Sequence, residues 1–102
     1  MKSFLISDNR DTLLGMRLAG IKGVIVHEKR DILNEINKAL NDSDIGIIII
    51  TEKILNKAEE EIMDLKLKKS NQIIVTIPDR HGFKYDSGFI TKYISESVGI
   101  KI

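Results

Sequence analysis

The sequence predicts an α/β fold: a small doubly wound, four-stranded parallel sheet flanked by helices. Three observations carry that expectation. Short apolar runs recur along the chain: Phe4-Leu5-Ile6, Val24-Ile25-Val26, Ile45 to Ile50 and Ile73 to Ile77. Between them, apolar residues return three or four positions apart, the spacing of one helix face. The third run reads Ile-Gly-Ile-Ile-Ile-Ile with no polar alternation, so both of its faces must be covered, as in a central parallel strand. Strands alternating with helices and joined by right-handed crossovers give a doubly wound sheet, here with predicted order 2-1-3-4.

Each element follows from local chemistry. The first strand ends at Ser7-Asp8-Asn9. Asp11 or Thr12 can cap a short helix carrying Leu13, Leu14, Met16, Leu18 and Ala19, which Gly20 stops. Gly23 precedes the second strand and His27-Glu28 closes it. Asp31 reads as the N-cap of a helix with Ile32, Leu33, Ile36 and Leu40 on one side, and Asn41-Asp42-Ser43-Asp44 is a turn cluster. The isoleucine run suits a strand better than a helix because its side chains branch at Cβ. Ile54, Ala58, Ile62 and Leu65 then mark one helix in which acidic residues precede basic ones, matching the helix dipole. Lys66, Lys68 and Lys69 read as its solvated end. Pro78 closes the fourth strand. Residues 1–78 thus form an α/β core. Residues 79–88, with Gly82 and Gly88, form a hinge loop, and residues 89–102 form a mobile last helix and tail of the same domain.

Composition narrows the function. The chain has 102 residues, 42% hydrophobic and 30% charged, the profile of a single globular domain. A net charge of +1 with dispersed lysines gives no electrostatic case for nucleic acid. Cysteine is absent, which excludes disulfides, thiol catalysis and cysteine metal sites. The longest apolar run, Ile45 to Ile50, is far short of the roughly 20 residues that span a bilayer. The apolar stretch at the N-terminus is too short for a signal peptide. A cytoplasmic protein is expected, touching a membrane only through partners.

Ligands of open α/β sheets sit outside the carboxyl ends of the strands. Here those ends carry Ser7-Asp8-Asn9, His27-Glu28, Thr51-Glu52 and Pro78-Asp79-Arg80. The first turn, Asp8 to Thr12, has no glycine to let backbone N–H groups approach a phosphate. A phospho-receiver needs an acceptor aspartate after the third strand, where this chain has Thr51-Glu52. His27 and His81 lack companions at metal-ligand spacing, and no nucleophile turn supports a Ser7, His27 and Asp8 set. Asp8 and Glu52 could pair as carboxylates across neighbouring strand ends. The competing reading is that Asp8 and Thr51 satisfy backbone groups in their turns, which leaves the polar end a stop signal without catalytic, cofactor or metal residues.

Three stretches together resemble a known family. Residues 4–21, FLISDNRDTLLGMRLAGI, run from a strand through an acidic turn to Arg17-Leu18-Ala19-Gly20. Residues 45–54 are IGIIIITEKI. Residues 73–79, IIVTIPD, are paired with the ending YISESVGIKI over 93–102. In order and length these are similar to the F subunits of the V-type (archaeal/vacuolar-type) rotary ATPases and ATP synthases, over nearly the whole chain. Met16 stands where many members carry Phe. The resemblance implies a noncatalytic central-stalk subunit that needs no cofactor. Such a subunit binds the coiled-coil axle beside the catalytic ring, rotates with it and helps couple ATP turnover to proton or sodium transport. It further implies a last helix able to extend toward the ring. The expected partner interface is Arg17, Leu18, Phe89, Ile90, Tyr93, Ile94, Val98 and Ile100. The stripe of Phe89, Ile90, Tyr93, Ile94 and Val98 is broad for a lid on so small a sheet, although the helix could also pack back on it. Arg17 could be a solvated arginine or could fork onto an axle carboxylate. The alternative reading is a receiver-like signalling domain without its usual acceptor, which predicts a Mg²⁺ site near Asp8. A third is a small enzyme using Asp8 and Glu52.

Overall fold

The four apolar runs become four strands in the computed structural model, which describes residues 2–68 and 71–78. In chain order the elements are β1 (Lys2–Ser7), α1 (Arg10–Leu18), β2 (Lys22–Ile25), α2 (Lys29–Leu40), β3 (Ile45–Thr51), α3 (Glu52–Lys57), α4 (Glu59–Leu67) and β4 (Ile73–Ile77). All pairings are parallel and the strand order is β2-β1-β3-β4, as the sequence predicts. The expected hinge loop over 79–88 and the helix and tail over 89–102 lie outside the described residues.

Side chains of successive strand residues point to opposite faces, and the core divides accordingly. On one face Ile6, Ile48, Ile50 and Ile74 pack with Ile32, Ile36 and Ala39 of α2, Ile54 of α3, Ala58, and Ile62 of α4. On the other, Leu5, Ile49, Val75 and Ile77 gather with Leu13 of α1, and Met16 and Ile21 pack against them. The isoleucine run is therefore covered on both sides: Ile48, Ile49 and Ile50 are all buried. Its glycine has a structural use. Lys2 pairs with Ile45 but Ser3 pairs with Ile47, so Gly46 is the extra residue of a β-bulge.

Several boundaries differ from the sequence expectation. Asn9, rather than Asp11 or Thr12, caps α1: its side chain accepts from Thr12 N at 2.8 Å. Ser7 sets this up, since its Oγ donates to Asn9 O and accepts from Asn9 N, both at 3.0 Å, turning the chain at once after β1. Helix α2 begins at Lys29, so Asp31 lies in the first turn instead of at the cap. Its carboxylate still complements the helix dipole there, and Lys29 is held by an ion pair to Glu61 of α4. Strand β2 starts at Lys22 and ends at Ile25, although Val26 N still donates to Ser7 O at 2.9 Å. The single helix expected through Ala58 is two helices. Ala58 takes φ −144° and ψ 42°, and α4 restarts with Glu59, Glu60 and Glu61 in its first turn.

Two glycines are required by geometry. Gly20 has φ +85° and closes α1 in a Schellman arrangement, with Ile21 N donating to Met16 O and Gly20 N to Arg17 O, both at 2.9 Å. At Gly23 a Cβ would lie 2.6 Å from Leu5 O, so only hydrogen fits where β2 meets β1 under α1.

Candidate functional site

The carboxyl ends of β1 and β3 meet because the topology makes these strands neighbours, with Ile6 opposite Ile50. The groups there bond to one another. Thr51 Oγ1 donates to Asp8 Oδ1 at 2.9 Å, and Asn9 Nδ2 donates to the same oxygen at 3.3 Å. The Thr51 hydroxyl also accepts from Ile54 N at 3.4 Å, capping α3. A continuous chain of hydrogen bonds thus runs from the N-terminus of α3 through Thr51, Asp8 and Asn9 to the N-terminus of α1. Asp8 is joined to Thr51 and Asn9 by side-chain bonds, where the sequence offered either a Glu52 partnership or backbone groups. Thr51 does meet the backbone expectation.

The remaining strand-end residues form no catalytic arrangement in the described structure. Ser7 Oγ is taken up by the Asn9 backbone and does not extend toward a base. His27 is exposed, and its carbonyl accepts from Lys57 Nζ at 2.9 Å. Among the described residues no group of three or more His, Asp or Glu side chains is placed to hold a metal ion. The Glu61 carboxyl is held below the ordinary carboxylate range, chiefly by its bond to Lys29. Lys66 is lowered from its ordinary value by burial. Lys66 is thus only partly solvated, and its Nζ lies 3.5 Å from Thr76 Oγ1 on β4.

The amino ends of the strands hold open pockets. One, of about 630 Å³, lies between the α2–β3 turn and the start of β4, near Ser43, Asp44, Gly46 and Gln72. Gln72 Nε2 braces its wall by donating to Ala39 O at 2.8 Å and Asp42 O at 3.0 Å. A second, of about 550 Å³, is bordered by Lys2, Phe4, Gly20, Lys22 and Asp42.

The residues expected to meet a partner divide between described and undescribed chain. Arg17 and Leu18 sit on α1, both exposed, Leu18 by 92%. Phe89, Ile90, Tyr93, Ile94, Val98 and Ile100 lie outside the described residues. Leu14 is an exposed companion that the sequence reading did not separate from the core side of α1. The signal was present: Leu14 and Leu18 are four apart and share a face, while Leu13 and Met16 share another.

No described helix is long and apolar enough to cross a membrane. A family model described as "ATP synthase (F/14-kDa) subunit" matches residues 4–98. Among individual proteins, the A-type ATP synthase F subunit of Methanocaldococcus jannaschii is 37% identical over 103 residues, covering 100% of this chain and 99% of that protein. The protein of the same name in Thermococcus kodakarensis is 32% identical over 107 residues, covering 100% and 98%. That of Methanococcus aeolicus is 39% identical over 83 residues, covering 80% and 78%.

Proposed function

Because the chain belongs to the family of ATP synthase (F/14-kDa) subunits, we propose that it is a noncatalytic subunit of the central stalk in a V/A-type rotary ATPase. In this reading it binds the coiled-coil axle beside the catalytic ring and turns with it. It helps couple ATP turnover to proton or sodium transport, on the cytoplasmic side and attached to the membrane only through the complex.

The observation that carries the reading is end-to-end similarity to relatives named as the F subunit of A-type ATP synthases. The geometry supports it in one respect. At the carboxyl ends of β1 and β3, Asn9 Oδ1 and Thr51 Oγ1 serve as helix caps and Asp8 Oδ1 accepts from Thr51, bonds that serve the fold. Such a protein works through its outer surface.

Mixing the chain with the coiled-coil axle subunit of the same complex tests the reading. Gel filtration with light scattering is expected to give a stable 1:1 complex whose formation does not depend on Mg²⁺. Two separate peaks would overturn it. Separate peaks together with Mg²⁺-dependent NMR shifts around Asp8 would favour a receiver-like domain instead.

A further inference from the structure

We draw no further inference here: the strongest candidate, the notch on one flank of α1 bordered by Asp11, Thr12, Gly15 and Met16, where the buried Thr12 hydroxyl has no hydrogen-bond partner among the described residues, carries nothing because nothing in the structure shows what covers it.

Discussion

At the scale of single residues, Thr51 connects the most structure for its size. One hydroxyl donates to the Asp8 carboxylate and accepts from Ile54 N in the first turn of α3. Valine keeps the β-branched shape and removes both bonds. Thr51→Val should therefore lower stability by about 1–3 kcal/mol, from a lost cap and a half-buried carboxylate left with one donor fewer. Thr51→Ser should recover most of it, and urea midpoints for the three proteins check the order. The sequence displayed Asp8 and Thr51 as the polar ends of their strands but could not show that they are partners. That relation needs two facts absent from local patterning. One is that β1 lies beside β3, and the other is that the bulge at Gly46 sets the register between them. Asn9 was missed as a cap for a related reason: the competing signals at Asp11 and Thr12 are equally good locally, and the Ser7 turn decides between them.

Elements were legible where glycine, proline or a turn cluster marked their ends, as at Gly20, Asn41 to Asp44 and Pro78. They were less so where tertiary packing made the boundary. Ala58 is a good helix former, yet the chain leaves helical geometry there and buries the small methyl group against the sheet. No propensity argument finds such a break. One consequence falls on α4, whose Lys66 leans toward β4 and is partly buried. Burial lowers its folded pKa beneath the ordinary 10.5, so the folded state holds this proton less firmly than the unfolded chain. The resulting penalty is complete below the folded pKa and disappears as pH rises above 10.5. Lys66→Met should accordingly raise the urea midpoint at neutral pH by a small amount, since the group is half exposed. The advantage over wild type should shrink in alkaline buffer. A midpoint lower than wild type at neutral pH would show that the Thr76 contact outweighs desolvation. Glu61 behaves in the opposite sense. Its depressed pKa favours the folded state above the ordinary carboxylate value and ceases to do so as pH falls through the lowered one.

For the molecule as a whole, the sheet separates two apolar clusters that share the same strands. Ile48 and Ile50 serve one face and Ile49 the other, so neither cluster can dissolve without removing the floor of its neighbour. Ile36→Ala on one side and Leu5→Ala on the other should each cost about 2–5 kcal/mol, a large share of the roughly 5–15 kcal/mol expected of a domain. Both should shift one shared transition in circular dichroism during urea unfolding, and two resolved steps in either variant would contradict this coupling. The isoleucine run that announced the fold has a further consequence during biosynthesis. In an all-parallel sheet no strand pairs with the next until a helix has been made between them. On leaving the ribosome, Ile45 to Ile50 meets β1 on one edge but must await β4 on the other. At about 5–20 residues per second this lasts on the order of seconds. Throughout that interval the nascent chain displays an uncharged, β-branched segment of the type that seeds cross-β aggregates. Asp42 and Asp44 before it, and Glu52 and Lys53 after it, stand where gatekeeping charges restrain such segments. The same four residues that frame the central strand of the finished fold thus help the unfinished one to reach it.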